Sequence, residues 1–341
     1  MKRFLLALFL LFLIAGGAGA WFYFSLDRPY KGYTAAEQFV EIPQGSGSAV
    51  IARRLAEAGV VEDVNRFRLA LWVSGSGRRL QAGEYRFDRP MSPRDVADKI
   101  ARGDVYGHPI TFREGLTIRQ MAALYESKGI GEARAFIAAA RRAELVRELD
   151  PAAKDLEGYL FPDTYAVPRR SDADQLIARM VAGFTRSLTP DIVERAAARG
   201  LSVRQLVTLA SIVEKETGAP SERPLVAAVY SNRLKIGMGL QCDPTVIYAL
   251  ERAGRFDGNL TREDLQFDSP YNTYRYAGLP PGPIASPGRA SLEAAAAPAS
   301  VPYLFFVSKN DGSHAFAETL DEHNRNVHEY QVKYFRDRRS K

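Results

Sequence analysis

Two glutamates, Glu214 and Glu216, stand close together in the stretch LASIVEKETG (209–218), whose other residues are mostly small or apolar. A carboxyl group pressed against apolar side chains loses hydration, so its charged form is disfavoured and its pKa rises. A carboxyl with a pKa near neutrality can serve as a general acid at working pH. Proton transfer by a carboxyl group is therefore the first chemistry that this sequence suggests.

The glutamates lie on a predicted helix over residues 201–217. At 100° per residue, its core stripe is predicted to contain Leu206, Ala210, Val213 and Thr217, and its opposite face Arg204, Thr208, Ser211 and Lys215. Both glutamates border the stripe: the edge of Glu214 holds Val203 and Val207, and the edge of Glu216 holds Leu209 and Gln205. The edge of Glu214 is thus the drier one. A helix-end carboxylate paired with a nearby Lys or Arg is an equally simple interpretation, and helix geometry alone does not decide between them.

The N-terminus is predicted to meet a membrane. The segment from Phe4 to Phe24 contains no charged residue and is long enough to cross a hydrocarbon core about 30 Å thick. The small residues around Ala18–Ala20 resemble a signal-peptide cleavage site, but aromatic residues continue the apolar run, which favours an uncleaved anchor. Positive charges before the segment place the N-terminus in the cytoplasm and the rest of the chain on the other side. Residues 1–27 are therefore assigned as a cytoplasmic tip and transmembrane anchor.

Composition restricts the possible partners and cofactors. The chain has 341 residues, 46% of them hydrophobic and 25% charged, as folded domains do. The net charge is +6, yet Lys and Arg are spread along the chain, so no nucleic-acid partner is expected. The single cysteine, Cys242, cannot form an internal disulfide and is interpreted as a packing residue rather than a reactive thiol.

Metal chemistry is not expected either. The histidines are His108, His314, His323 and His328, and no HExxH motif is present. His323 and His328 are five residues apart, which places them about 140° apart around a helix rather than on one face. Neither a GxSxG motif nor a phosphate-binding P-loop occurs. No metal and no cofactor is therefore predicted.

The soluble part is predicted to belong to the α+β class, in three regions. Residues 38–108 read as a strand, a helix from about Ser48, the strand GEYRF (83–87) and a helix capped by Ser92, an order that resembles LysM-like domains, which hold N-acetylated glycans. A generic α+β spacer is the alternative. Residues 109–150 repeat the strand, glycine and helix pattern as a second small module and connector, and residues 151–335 form the largest domain.

The largest domain begins with an aromatic loop over residues 155–169, where Gly, Pro and aromatic residues disfavour both helices and regular strands. Helices are predicted over 172–198, 201–217 and 222–236. A hairpin is predicted around the turn at residues 310–312, followed by a last helix from about Asp321.

Four ordered motifs carry a resemblance to a known family. The motifs are LASIVEKET (209–217) and the stretches Asn232–Tyr248, Ser269–Gly288 and His314–Asn324. Together they resemble the MltG (YceG-like) endolytic murein transglycosylases over roughly residues 150–330. The resemblance implies that Glu214 is the catalytic acid and base, that Glu216 has a supporting role, and that the substrate is a peptidoglycan glycan strand. The expected products end in 1,6-anhydro-N-acetylmuramic acid.

Other polar residues of these motifs are candidates to bind sugars, because amides bind hydroxyl and acetamido groups and aromatic rings pack on sugar faces. They are Gln241, Asp243, Thr245, Tyr271, Asn272, Tyr274, His314, His323 and Asn324, with Glu157, Tyr159 and Phe161 of the aromatic loop as a possible cleft wall. Each has a structural alternative, since Asp-Pro and Tyr-Asn are common in turns and a lone histidine is often structural.

Two alternative functions are kept open. One is a muramidase hydrolase on the same scaffold, in which a second carboxylate such as Glu222 or Asp243 activates water. The other is a non-catalytic wall-binding scaffold that acts through its LysM-like part. The expected location is the inner membrane, single-pass, with the catalytic domain outside the cytoplasm. Peptidoglycan synthases are possible partners if the enzyme terminates strand elongation.

Overall fold

A computed structural model describes residues 17, 23–43, 45–167 and 172–339. The chain divides into two units, the first comprising Met1–Pro109 and Ala166–Arg170 and the second comprising Ile110–Tyr165 and Ser171–Lys341. Each unit mixes helices with two-stranded sheets, in agreement with the predicted α+β class. Most of the region predicted as a second small module, 109–150, falls in the second unit.

The predicted membrane anchor, Phe4–Phe24, lies outside the described residues except for Gly17, Tyr23 and Phe24. Within the part of the chain that the structure describes, no helix is both long and apolar enough to cross a membrane. The side chains of Tyr23 and Phe24 are both exposed.

The first unit has the predicted strands and helices, with a second helix between the first helix and the second strand. Its elements are β1 (Gln38–Ile42), α1 (Ser48–Glu57), α2 (Val64–Val73), β2 (Gly83–Phe87) and α3 (Pro93–Arg102). Strands β1 and β2 are antiparallel, with Val40 opposite Tyr85. Alternate residues of the two strands are buried and pack with Leu55, Phe67 and Ile100 from the three helices. One face of the small sheet is therefore the core of this unit.

The start and end of α3 follow the sequence signals. Ser92 accepts a hydrogen bond from the N–H of Asp95, and the Asp95 carboxylate accepts one from the N–H of Ser92, which completes a capping box. Pro93 occupies the first helical position, where no N–H donor is needed. Gly103 ends the helix with a φ of 72°, a conformation that favours glycine.

The second unit is mainly helical. Its α-helices before the C-terminal hairpin are α4 (Ile118–Ser127), α5 (Ala133–Ala140), α6 (Ala173–Ser187), α7 (Pro190–Ala198), α8 (Val203–Glu216), α9 (Arg223–Lys235), α10 (Asp243–Ala253) and α11 (Arg289–Ala296). The prediction of a single helix over 172–198 is wrong, because the helix is interrupted between α6 and α7. Pro190 lacks an N–H donor and starts the new helix at its first position, which explains the break.

Strands β3 (His108–Thr111) and β4 (Thr164–Val167) form a two-stranded sheet. The prediction of an irregular loop over 155–169 is therefore wrong at its end. Tyr165 and Val167 are buried and alternate with exposed neighbours, which is the period of a strand. This short alternation was hidden by the Gly, Pro and aromatic residues before it.

The predicted C-terminal hairpin is confirmed. Strands β5 (Phe305–Ser308) and β6 (His314–Ala317) are antiparallel, with Phe306 opposite Phe316. The turn contains Asn310 and Gly312, both with positive φ. Helix α12 (Leu320–Val327) follows, then a π-helical segment, His328–Lys333, and α13 (Tyr334–Arg339).

Candidate active site

Helix α8, which holds both glutamates of the opening motif, is fixed at its start and along its middle. The Ser202 hydroxyl accepts a hydrogen bond from the N–H of Gln205 at 3.3 Å, and the Gln205 side chain accepts one from the N–H of Ser202 at 2.9 Å. All residues from Leu206 to Val213 are buried. Helices α7, α9, α10 and α11 pack against α8. The last turn of α8 is therefore presented by a rigid element.

Two residues on the predicted face of α8 opposite the core stripe are buried rather than exposed to solvent. Thr208 and Ser211 are 1% and 0% exposed, because neighbouring elements cover this side of the helix as well. Their hydroxyls are satisfied locally: Ser211 donates to the Thr208 carbonyl at 2.7 Å and accepts from the N–H of Ile284 at 3.1 Å. Lys215, on the same predicted face, is exposed.

Two donors from distant parts of the chain hold the carboxyl group of Glu214. Arg223 at the start of α9 donates from Nη2 to Oε1 at 3.2 Å, and the backbone N–H of Gly288 donates to Oε2 at 2.9 Å. The Glu214 side chain is only 6% exposed. The Glu214 carboxyl group is therefore nearly buried, and its neighbours are a cation and an N–H donor. The interpretation as a carboxylate paired with an arginine describes these contacts better.

Gly288 contributes by its lack of a side chain. It is the N-cap of α11, and its N–H points to Glu214. A Cβ atom at this position would lie 1.8 Å from Oε1 of Glu114. A larger residue would therefore displace the Glu114 carboxyl group, which ends a flexible and half-exposed side chain.

Glu114 brings a second carboxyl group to the same arginine. Its Oε2 atom lies 3.5 Å from Nη2 of Arg223, and its side chain is 47% exposed. The following residue, Gly115, donates its N–H to the Ser286 carbonyl at 2.8 Å, which ties this loop to the segment before α11. Partial burial, followed by the negative charge of Glu214, raises the pKa of Glu114 and outweighs the opposing effect of Arg223.

Arg223 is itself held from a third side. Its Nε donates to the Ser291 hydroxyl of α11 at 3.1 Å, and its side chain is 10% exposed. The planar guanidinium group thus joins α8, α9, α11 and the Glu114 loop through fixed donor directions.

An open groove with a volume of about 540 Å³ runs past the two carboxyl groups. Its lining residues are Thr111, Phe112, Arg113, Glu114, Pro162, Asp163, Thr164 and Glu214. Glu214 is therefore nearly buried but borders a space that a ligand can enter. Such a position suits a proton donor, which must reach its substrate while its surroundings keep it in place.

Glu114, Arg223 and Gly288 were not predicted as site residues. Each had a signal: Glu114 precedes the glycine of the repeated strand and helix pattern, Gly288 ends a motif of the family, and an arginine partner was one interpretation of Glu214. None of these signals tells which distant residue meets Glu214, since that depends on tertiary packing.

Glu216 occupies a different environment. The hydroxyl of the buried Tyr230 donates to its Oε1 at 2.7 Å, and the thiol of the buried Cys242 bonds the same carboxyl group. Burial raises the pKa of Glu216. Glu216 is not among the residues that line the described groove.

Three predicted sugar-binding residues gather on the side of Glu216. The Tyr274 hydroxyl donates to Asp243 at 2.6 Å, and the charge of Asp243 acts on the carboxyl group of Glu216. Gln241 is exposed with a φ of 50°, a left-handed conformation that is uncommon outside glycine. These polar groups remain near the surface at the start of α10.

Thr245 and Asn272 are placed inside the fold. Both are 0% exposed. The Thr245 hydroxyl donates to the Cys242 carbonyl at 2.6 Å, and the Asn272 amide donates to the carbonyls of Leu265 and Phe267 at 3.0 and 2.8 Å. Their contacts are those of residues that hold loops together, which was the structural alternative.

Glu157 lies between two cavities in the second unit. It lines one cavity of about 220 Å³ and another of about 320 Å³, and Tyr271 lines the second. The N–H of Ile118 and the hydroxyl of Tyr248 donate to its carboxyl group at 3.1 and 3.2 Å. Burial raises the pKa of Glu157 to about 8. Tyr159 is buried beside it, and the partly exposed Phe161 follows in the same loop.

His314 is paired with Glu222. Its Nδ1 atom lies 2.6 Å from Oε2 of Glu222, and its backbone N–H donates to Oε1 at 2.8 Å. Thr217 donates to the same carboxyl group at 3.2 Å. Burial would raise the pKa of Glu222, but the hydrogen bonds from His314 outweigh it and the pKa is lowered. Both oxygens of this carboxylate are therefore occupied.

His323 and Asn324 lie on α12. The His323 ring stacks on Phe305 with a centroid distance of 5.2 Å, and burial, followed by the charge of Arg233, lowers its pKa. Asn324 is exposed on the same helix. The described contacts of His323 are those of a packing residue.

Comparison with known proteins gives consistent matches over most of the chain. The model of the YceG-like family matches residues 40–329. A protein of Bacillus subtilis (strain 168) named "Endolytic murein transglycosylase" is 33% identical over 321 residues, which cover 90% of this chain and 88% of the relative. A protein of the same name from Streptococcus pneumoniae serotype 2 (strain D39) is 31% identical, with 97% of this chain and 65% of the relative covered.

A solved structure is similar as well. The crystal structure of a YceG-like protein from Listeria monocytogenes superimposes with a TM-score of 0.57 at 31% sequence identity. The match covers 85% of this chain and 98% of that chain. The family match over residues 40–329 includes all the residues that line the groove beside Glu214.

Proposed function

The chain belongs to the YceG-like family and is an endolytic murein transglycosylase, and from this premise we propose that Glu214 is its catalytic acid and base. The observation that supports this assignment is the position of Glu214, whose carboxyl group borders an open groove while two donors fix both of its oxygens. Glu216 is engaged by Tyr230 instead, which fits a supporting role.

In the proposed reaction, protonated Glu214 gives its proton to the oxygen between C1 of N-acetylmuramic acid and the next N-acetylglucosamine, and the C1–O bond breaks. The C6 hydroxyl of the same muramic acid then bonds to C1 and returns its proton to Glu214. One carboxyl group suffices because the nucleophile is part of the substrate and its effective concentration is already high. The enzyme has to orient the sugar ring and transfer one proton.

The hydrolase alternative requires a second carboxylate that activates water. Glu222 accepts hydrogen bonds from His314 and Thr217, and Asp243 accepts one from Tyr274. These contacts favour structural roles for both carboxylates. They support the transglycosylase chemistry over hydrolysis by either of these two residues.

The reaction products provide the direct experiment. Digestion of long uncrosslinked strands in heavy-oxygen water is expected to give 1,6-anhydro-N-acetylmuramic acid ends that contain no label, are lighter by one water than hydrolysed ends and resist borohydride. Fragments of many lengths are expected, since the enzyme cuts inside strands. Mass spectrometry would support the hydrolase instead if the label entered reducing ends, and single disaccharides alone would reject internal cutting.

We also propose that the N-terminal segment anchors the enzyme in the inner membrane, with both units outside the cytoplasm. The support is the uncharged stretch Phe4–Phe24 after Lys2 and Arg3. The full chain is expected to fractionate with membranes and to retain Met1, whereas residues 30–341 are expected to be soluble and folded. A mature N-terminus at Trp21, found by terminal sequencing, would show cleavage and contradict this proposal.

The first unit is proposed to bind the glycan as a LysM-like module. Its support is the strand, helix, helix, strand order with an antiparallel pair β1 and β2. Binding of the growing strand near the membrane would suit an enzyme that terminates strand elongation beside a peptidoglycan synthase. A wall-binding assay on the Glu214→Gln protein would test binding apart from cleavage.

A further inference from the structure

The proposed chemistry requires a protonated Glu214, whereas the contacts of its carboxyl group favour the charged form. A general acid must be protonated when the substrate binds. A guanidinium group and an N–H donor both favour the charged form of a carboxyl group, and Glu214 has one of each. Another feature of the site must therefore offset these two contacts if Glu214 is to hold a proton near neutral pH.

Glu114 is placed to provide that offset. It approaches the same Nη2 atom of Arg223 at 3.5 Å, so one guanidinium nitrogen serves two carboxyl groups. The Glu114 side chain lies over Gly288, next to the N–H that binds Glu214. It also lines the groove that Glu214 borders. Two acidic groups thus share one cation at the edge of the groove.

We propose that Glu114 is a positioning residue of the transglycosylase, which shares Arg223 with Glu214 and thereby keeps a proton available to Glu214. This inference rests on the proposed role of Glu214. Two carboxyl groups that share one cation cannot both be fully compensated, so the pair retains a proton to a higher pH than a single carboxylate with its own arginine.

The electrostatic coupling supports this arrangement. The charge of Glu214 contributes to the raised pKa of Glu114. The two carboxyl groups therefore titrate as a coupled pair, and the retained proton belongs to the pair rather than to one residue. Removing the Glu114 charge would leave Arg223 to Glu214 alone, and the coupling that retains a proton on the pair would be lost.

The other charged groups nearby are differently engaged. Lys215 on α8 donates to the Gly115 carbonyl at 3.3 Å, and Arg289 on α11 pairs with Glu293 at 2.8 Å. Arg113 and Asp163 line the groove. Arg223 on α9 is the cation that contacts both carboxyl groups. The effect of Glu114 is therefore expected to pass through Arg223.

The test is the pH–rate profile of Glu114→Gln, measured with anhydro-end formation as the readout. An acid catalyst loses activity as pH rises, which gives the profile a descending limb on its alkaline side. In Glu114→Gln the midpoint of this limb is expected to lie about one pH unit lower than in the parent. The rate at neutral pH would then be about tenfold lower. At low pH the rate should return to within a few-fold of the parent. A purely structural role would lower the rate equally at every pH.

Two further variants make the outcome decisive. Glu114→Asp retains the charge and is expected to place the limb between those of the parent and Glu114→Gln. Asp163→Asn removes a carboxylate from the same groove without touching the Arg223 pair and is expected to leave the limb in place. An unmoved limb in Glu114→Gln, or an equal shift in Asp163→Asn, overturns the proposal.

Failure of this inference can be separated from failure of the proposed function. If Glu214→Gln remained active at every pH, the role of Glu214 itself would be wrong, whatever Glu114 does. If Glu214→Gln is inactive while the limb of Glu114→Gln is unmoved, only the positioning role is lost. Thermal melting of each variant checks that the fold is retained, which is expected because the Glu114 side chain is about half exposed.

Discussion

Glu214→Gln is expected to abolish strand cleavage, with a loss of roughly 10²- to 10⁴-fold or more, since general acid catalysis supplies about that factor. The amide cannot donate the proton, yet it has nearly the same shape as the carboxyl group. Its oxygen can still accept from either Arg223 or Gly288, so one of the two hydrogen bonds is lost. Leaving one donor unpaired costs about 1–3 kcal/mol, so a modest fall in melting temperature with the fold retained is expected.

The matched control is Glu216→Gln, two residues along the same helix. Its amide oxygen can keep the hydrogen bond from Tyr230, and it is expected to retain most of the cleavage rate. Release of anhydro ends from purified strands measures both variants. An inactive Glu216→Gln together with an active Glu214→Gln would transfer the catalytic role to Glu216 and refute our assignment.

Arg233→Met is expected to cause a large loss of stability in the second unit. Arg233 on α9 is 8% exposed and donates to the carbonyls of Leu304 and Leu240, each at 2.7 Å. Its guanidinium group also lies over the Phe305 ring at 5.4 Å. Methionine fills similar space without donors, so two buried carbonyls lose their partners at about 1–3 kcal/mol each.

A loss of about 3 kcal/mol corresponds to a fall in melting temperature of roughly 6–12 °C for a unit of this size, measurable by calorimetry. Lys235→Met is the control, because it removes a charge from the exposed end of the same helix and is expected to cost less than about 0.5 kcal/mol. Arg233→Lys should lie between the two, since an ammonium group cannot reproduce the planar set of donors. Equal melting of Arg233→Met and Lys235→Met would contradict this account.

Local signals in the sequence predicted much of the fold. The helix cap at Ser92, the strand GEYRF and the turn at residues 310–312 were placed correctly because each depends on neighbours within a few residues. The errors have local causes too: Pro190 divides a helix whose apolar period continues through the break, and β4 is too short for its alternation to stand out. The helical period of apolar residues therefore predicted where helices lie better than it predicted where they begin and end.

The candidate site was predictable only in part. Helix geometry indicated that Glu214 has the drier edge, and the resemblance to the family selected it as the acid. Neither could predict that Arg223, Gly288 and Glu114 belong to the site, because their contacts join residues far apart in the chain. The burial of Thr208 and Ser211 shows the same limit, since a helix covered on all sides has no solvent face for its pattern to reveal.

The residues that hold Glu214 are far apart along the chain, so they are synthesised at different times. A chain made from its N-terminus contains Glu114 and the glutamate helix well before Gly288, whose N–H binds Oε2 of Glu214. Long-range contacts of this kind form late in folding, after the intervening chain has been closed into loops. Cleavage activity should therefore arise only once the second unit is nearly complete, so that unfinished chains and fragments ending before residue 288 are inert towards the wall on which the cell depends.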